Sequence, residues 1–186
     1  MPPGKPALPS APSENFSRYS QKSFPSYRYI QGLALHPTEH PQGHSFGRRE
    51  PPPSVLAPKS WDQNEAYLFG VDLYNYAYWW ESHEAWEGLW RLQPLDHPTS
   101  QFLQGLIKVS AAFLKWFLHQ RRGMELTYQG AVAHLQAVRT RTRYYMGVDL
   151  DDHLKRLEKH FAPALKGEDA PWPDPLDGYP FIVLGD

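Results

Sequence analysis

Prolines and apolar positions divide the chain into an irregular N-terminal third and a helical middle. Twelve of the nineteen prolines precede Trp61, and only Pro94 and Pro98 lie between Trp61 and Phe161. Because proline breaks helix interiors, the pattern predicts helices only after residue 60. We therefore expect a Pro-rich, extended N-terminal arm over residues 1–60 and a helical domain over 61–165. A short C-terminal tail over 166–186 is expected to pack on that domain.

The spacing of apolar residues within the middle predicts several helices and no strands. The first helical stretch covers residues 63–90, with a break near Asn75. The next runs over 100–119 with Ser100 as its N-cap, since serine is a preferred capping residue. After Gly123, a helix is expected over 125–145 and a last one over 150–161. The predicted fold class is all-α: a multihelical bundle with two central buried helices.

The stretch over 100–119 is apolar almost all round, as expected of a helix surrounded by others. Its polar residues recur at steps of three, four or seven, which places them in one stripe. We expect this stripe to face the helix that carries His83, with Gly105 allowing the two helices to approach closely. The stripe consists of Gln101, Gln104, Lys108, Lys115 and His119.

The residues that can carry chemistry lie together near the end of the first helical stretch. Glu81, His83, Glu84 and Glu87 occupy about two helical turns, and His83 and Glu87 are four residues apart on one face. Tryptophans surround them in sequence, which suggests that part of this group is buried and needs partners to remain charged.

Two interpretations of this group remain open from the residues alone. In the first it is a buried network that fixes how helices dock or binds a small ligand, with Lys108 neutralising Glu84 or Glu87. Further ligand-binding candidates are Glu81, Gln104, Asp72 and Trp90.

In the second, the pattern His83-Glu84-x-x-Glu87 resembles the metal-binding spacing H-E-x-x-H and forms a catalytic site. His83 and Glu87 would then bind a divalent Zn, Mn or Fe ion, with Glu84 as general base and a further ligand from Asp72, Glu81 or a distant histidine. Solvent access at Glu84 and Glu87 separates the two interpretations, because an enzyme needs an open cleft.

The N-terminal arm carries three histidines at steps of four: His36, His40 and His44. Pro37 and Pro41 make a helix there improbable, so the spacing does not align the three rings. The alternatives are a loop that brings one histidine to the group around His83, or a loop with a structural role only.

Composition limits the partners and the location. The formal net charge is −1, which offers no basic field for a nucleic-acid backbone, and the absence of cysteine excludes thiolate metal sites. The most apolar stretch, 102–118, is interrupted by polar residues and predicts a buried helix rather than a membrane span. No secretory signal is recognisable at the N-terminus, so a cytoplasmic location is expected. A small-molecule ligand and a homo-oligomer remain candidate partners.

Three segments together resemble the domain-of-unknown-function family 309. They are 71–75 (VDLYN), 78–90 (YWWESHEAWEGLW) and 102–108 (FLQGLIK). The resemblance covers about residues 65–137 and implies a multihelical fold with two central helices. Members are sometimes described as metal-dependent hydrolases. The motif falls on Glu81, His83, Glu84, Glu87, Trp90, Gln104, Gly105 and Lys108, and departs from relatives at Ala77, often Gly, and at Ser82, often Ala.

Overall fold

A computed structural model describes residues 7–48, 51–167 and 172–185, and these are mainly helical. The predicted all-α class is confirmed, with one small antiparallel hairpin in addition. In chain order the elements are a 3₁₀ helix (Pro58–Gln63), α1 (Glu65–Asn75), α2 (Trp79–Trp90), α3 (Pro98–Phe117), α4 (Arg121–Arg139), β1 (Tyr144–Tyr145), β2 (Val148–Asp149) and α5 (Leu150–Phe161). Across the described ranges, every helix falls short of the length and hydrophobicity that a membrane span requires.

The break expected near Asn75 separates α1 from α2. Asn64 caps α1 by accepting a hydrogen bond from the backbone N–H of Tyr67 at 3.0 Å. The helix ends before Ala77, which is fully buried and has a φ of 60°. This left-handed conformation costs little for glycine and more for alanine, so the turn itself favours glycine at this position.

The predicted bounds differ from the structure by two residues at each end of α3 and by four to six residues at the ends of α4. α3 begins at Pro98, and His97 caps it by accepting a hydrogen bond from Thr99 N at 3.2 Å. Proline fits the first helical position because it has no N–H to satisfy there. Ser100 lies inside the helix and is buried. The α3–α4 turn is made at His119, with a φ of 57°, so Gly123 belongs to α4 and does not close the turn.

Helix α3 is the centre of the bundle and packs between α2 and α4. Its apolar side chains Phe102, Leu106 and Phe113 are fully buried. On the α2 side, the Trp79 indole stacks on the Phe113 ring with centroids 5.4 Å apart. The expected packing of the helix around His83 on the helix around Leu106 is therefore observed.

Close approach between helices occurs at two glycines. A Cβ on Gly105 would lie 2.6 Å from the Leu135 side chain of α4, so Gly105 serves the α3–α4 contact and not the α2–α3 contact that we expected. A Cβ on Gly70 of α1 would lie 2.2 Å from Trp86 Nε1 of α2. Since real Cβ atoms do not approach other atoms so closely, both positions require glycine, which has no side chain.

The C-terminal tail lies against α1. The Asn75 side chain donates a hydrogen bond to the Ile182 carbonyl and accepts one from the Ile182 N–H, each at 2.8 Å. Ile182 and Tyr179 are buried, and the Tyr179 hydroxyl accepts a hydrogen bond from Trp79 Nε1. The tail thus completes the core around the start of α2.

Candidate metal and ligand site on helix α2

The polar residues of α2 point to two different sides of the helix. The Glu81 side chain is 5% exposed and faces the N-terminal arm. His83 and Glu84 are 29% and 47% exposed, and Glu87 is 26% exposed. One turn of helix therefore separates a buried carboxylate from three side chains that reach solvent. We call His83, Glu84 and Glu87 the α2 cluster.

Glu81 holds the arm against the helix. One carboxylate oxygen, Oε1, accepts hydrogen bonds from the backbone N–H of Tyr29 at 2.9 Å and from His44 Nε2 at 3.1 Å. A carboxylate only accepts, so the proton of this contact lies on His44 Nε2. His44 Nδ1 lies 2.8 Å from the Ser45 hydroxyl, which can donate to it. The loop therefore brings His44 to α2, at Glu81.

The α2 cluster has the geometry of a cation site. One ligand atom from each of its three residues can be chosen so that all lie within 4.8 Å of one another. His83 Nδ1 lies 3.3 Å from Glu84 Oε1, so the imidazole and this carboxylate are within hydrogen-bonding distance.

The donor set fits a transition metal better than a hard cation. One imidazole nitrogen and two carboxylates suit Zn, Mn or Fe, whereas Mg and Ca prefer oxygen alone. Glu87 is also paired with Arg91 at 3.0 Å, four residues further along the helix. Arg91 is 68% exposed, so this pair is weak and a divalent cation can displace it.

Asp72 and Glu81 are engaged elsewhere and are not placed with the cluster. Asp72 is fully buried in α1, and its two oxygens accept hydrogen bonds from the backbone N–H groups of Tyr19 and Ser20 at 2.8 and 2.9 Å. Arg18 adds an ion pair at 3.3 Å. Asp72 therefore fixes the arm to α1, as Glu81 fixes it to α2.

An open groove lies beside the cluster, between the N-terminal arm, α2 and α3. We call it the arm groove; its volume is about 490 Å³, within the range of small-molecule sites. His83 belongs both to the α2 cluster and to the lining of this groove. The arm contributes Tyr29, Gln31, His36 and Glu39, α2 contributes Trp80 and His83, and the region of α3 and the following turn contributes Ala111, Leu114, Lys115, Leu118 and Gln120.

The expected ion pair of Lys108 with Glu84 or Glu87 is not formed among the described residues. Lys108 lies on the α4 side of α3, where a Cβ on Gly130 would be 3.0 Å from Lys108 Nζ. Its charge also reaches α4: burial and the nearby Lys108 ammonium lower the pKa of His134. Lys108 and the α2 cluster therefore belong to different interfaces.

The polar stripe of α3 faces α4 rather than α2. Gln101 accepts from or donates to His134 Nδ1 of α4 at 2.6 Å, and the Lys115 side chain runs beside Gly123 of α4. Gln104 is half-buried and has no hydrogen-bond partner in the described ranges. Toward α2, the contacts are hydroxyl pairs and an indole: Ser82 with Ser110 at 2.9 Å, and Trp90 Nε1 donating to Ser100 at 2.8 Å. Trp90 thus fixes the α2–α3 contact.

Sequence reasoning missed Tyr29 and Lys115 as lining residues of the groove that His83 also lines. Both lie far from the motif in sequence, and Tyr29 also contributes through its backbone N–H, which carries no sequence signal. Lys115 was grouped with Lys108 because both follow the same stripe, although seven residues of helix separate them.

Comparisons with known proteins identify one family. Residues 67–126 match the model of the family described as Domain of unknown function (DUF309). The matched segment includes α2 and α3, and therefore the α2 cluster and most of the helical side of the arm groove. A comparison with curated proteins found no match.

Proposed function

We propose that this chain, whose residues 67–126 match the DUF309 family model, is a hydrolase that depends on a divalent cation held by the α2 cluster. The single observation that carries the proposal is that ligand atoms of His83, Glu84 and Glu87 lie within 4.8 Å of one another, while His83 also lines the arm groove. The cluster is open to solvent, as a catalytic site requires, and a sealed network would have argued against it.

Each residue of the α2 cluster has its own role in this proposal. His83 and Glu87 would bind the cation, and the Glu84 carboxylate lies 3.3 Å from His83 Nδ1. When bound, a divalent cation supplies Lewis acidity and lowers the pKa of a coordinated water toward neutrality. Glu84 would accept a proton from a water as general base. The arm groove holds the substrate beside His83.

A docking role belongs to Glu81 in this proposal. Its contacts with Tyr29 N and His44 support a function in fastening the arm, which forms one side of the groove. The alternative in which the groove binds a small ligand without reaction is supported by the groove alone. The two are separated by whether Glu84 is needed for turnover but not for binding.

Metal binding is tested first, on protein purified without a histidine tag. Isothermal titration with Zn, Mn and Fe(II), followed by elemental analysis after dialysis, is expected to give one bound ion per chain. His83→Ala and Glu87→Gln are expected to weaken binding more than about 100-fold, since even outer partners of metal ligands cost 10- to 100-fold. Glu125→Gln, a matched surface carboxylate on α4, should leave binding unchanged. Equal binding by wild type and His83→Ala would contradict the site.

Turnover is tested second, with p-nitrophenyl esters and p-nitrophenyl phosphate in the presence of the metal that binds. Glu84→Gln is expected to lower kcat at least about 100-fold, the usual contribution of a general base, while the metal remains bound. If metal binds but no hydrolysis appears above the Glu84→Gln background on any of these substrates, the hydrolase proposal is wrong and the metal site stands alone.

A further inference from the structure

The arm groove points to one class of ligand: we infer that it binds small molecules that combine a planar aromatic ring with an anionic group such as a carboxylate or a phosphate. The inference rests on the proposed function in one respect, since the same groove would hold the substrate beside His83. It goes further by stating what the groove recognises and which residues recognise it.

The dimensions of the groove suit a ligand of this size. Its α3 side runs from Ala111 to Leu118, which at 1.5 Å per residue is about 10 Å. Helices α2 and α3 are antiparallel, because Ser82 contacts Ser110 while Trp90 contacts Ser100. His83 therefore lies toward the Ala111 end, and Lys115, Leu118 and Gln120 lie toward the other.

The ring would lie against Trp80. Tyr29, His36 and Trp80 pack edge to face, with centroids 5.0 to 5.7 Å apart, so each ring holds the orientation of the other two. Trp79 and Trp86 on the same helix are fully buried, but Trp80 is only half-buried and lines the groove. Its indole N–H has no hydrogen-bond partner in the described part of the chain. Trp80 thus offers a ligand both an aromatic face and a donor.

The anionic group would lie at the Lys115 end. Lys115 forms no ion pair among the described residues, and its ammonium is 3.5 Å from where a Cβ on Gly123 would be. It therefore lies beside the first turn of α4, which has no side-chain cap and no acidic residue. The N–H groups of that turn add to the positive potential of Lys115.

The acidic residue of the groove does not cancel this potential. Glu39 is 80% exposed and lies 4.0 Å from His36 Nδ1, on the arm side. A charge so well solvated is screened strongly, whereas Lys115 is half-buried against the protein. The groove therefore favours an anion at one end and an aromatic ring in the middle.

Three matched probes test the inference on the full-length protein without added metal: benzoate, benzamide and cyclohexanecarboxylate. Benzamide keeps the ring and loses the charge, while cyclohexanecarboxylate keeps the charge and loses the planar ring. Binding is followed through the indole N–H resonances, with Trp80 assigned from Trp80→Phe. We expect benzoate to bind at least about tenfold more tightly than benzamide, since a hydrogen bond to a charged group is worth that or more. Benzoate should also bind more tightly than cyclohexanecarboxylate, which lacks the planar ring that would lie against Trp80.

Two variants locate the contacts. Lys115→Met retains the aliphatic stem and is expected to reduce benzoate affinity about tenfold, without changing benzamide affinity. Lys155→Met on α5, outside this groove, is the control and should change neither.

Equal affinity for the three probes, benzoate affinity that survives Lys115→Met, or no shift of the Trp80 resonance would each overturn the inference. The measurement is made without metal, so it tests the groove independently of the α2 cluster. The preference for a ring and an anion can be observed in a protein that binds no ion, and it can be absent from a protein that binds one.

Discussion

The two sides of helix α2 carry similar side chains, but these side chains differ in burial and in hydrogen bonding. Toward the arm, Glu81 is buried and its Oε1 accepts hydrogen bonds from Tyr29 N and His44. Toward solvent, Glu84 is exposed, and Glu87 is half-buried and paired with the exposed Arg91. A buried, hydrogen-bonded carboxylate contributes to stability, whereas an exposed one is available to a metal or a ligand. Glu81 and Glu84 are thus three residues apart in sequence, yet Glu81 has a structural role and Glu84 is available for a chemical one.

The largest expected effect comes from removing the buried carboxylate. Glu81→Ala leaves His44 and the Tyr29 N–H without their acceptor, and we expect the free energy of unfolding to fall by about 3 kcal/mol, as for one partner of a buried pair. Urea unfolding measures it. Glu84→Ala, three residues along the same helix, should change stability by less than about 0.5 kcal/mol. Similar losses in the two variants would remove the distinction between the two sides.

The same contrast is expected between two glycines. Gly70→Ala would place a Cβ 2.2 Å from the rigid indole of Trp86 on the buried side of α2, so we expect a loss of about 2–3 kcal/mol from overpacking. Gly88 lies within α2, and a Cβ there would meet only Pro53 at 3.8 Å. Gly88→Ala should therefore stabilise the protein by up to about 1 kcal/mol through helix propensity. A Gly70→Ala variant as stable as wild type would show that the two helices are not in close contact.

A buried ring without a hydrogen-bond partner should behave unlike Glu81, whose Oε1 accepts two hydrogen bonds. Both ring nitrogens of His153 in α5 lack a hydrogen-bond partner in the described ranges, and burial lowers the pKa of His153 to about 3. The pKa of His153 in the folded state is below the unfolded value of about 6.5. The contribution of His153 to the free energy of unfolding is therefore complete above pH 6.5 and is lost as the pH falls. From pH 7 to pH 5 this amounts to about 2 kcal/mol.

The measurement is the stability of wild type and of His153→Leu across this pH range. The variant should lose less stability than wild type by about that amount, and should be at least as stable at pH 7, because no polar atom remains unsatisfied. Parallel pH curves for the two proteins would mean that His153 is accessible to water in the folded state.

The smallest expected effect is an absence of coupling. Lys108 lies on the α4 side of α3, so Lys108→Met and Glu87→Gln should have additive effects, within about 0.5 kcal/mol. A double-mutant cycle by urea unfolding measures the coupling, and the same cycle with Glu84→Gln is the second test. Coupling well above this value at either position would place Lys108 with the α2 cluster after all.

The sequence predicted helix existence well and helix contacts poorly. The break near Asn75 and the extent of α5 follow from local patterns of apolar residues, turn residues and caps, and both agree with the structure. The polar stripe of α3 was also correct as a stripe. Its direction was wrong, because a helix between two neighbours has the same periodicity whichever neighbour its polar face meets. Lys108 and Gly105 were therefore assigned to α2, although both serve α4.

By itself, the sequence determined the helical class and the placement of His83, Glu84 and Glu87 on consecutive turns of one helix. These follow from short-range rules: proline geometry, the 3.6-residue period and the reach of neighbouring side chains. Only the tertiary structure decided that Glu81 faces the arm, that His44 meets it, and that His83 lines a groove with Trp80 and Lys115. Such contacts join residues far apart in sequence, and they depend on how whole helices and the arm pack, which no local pattern records.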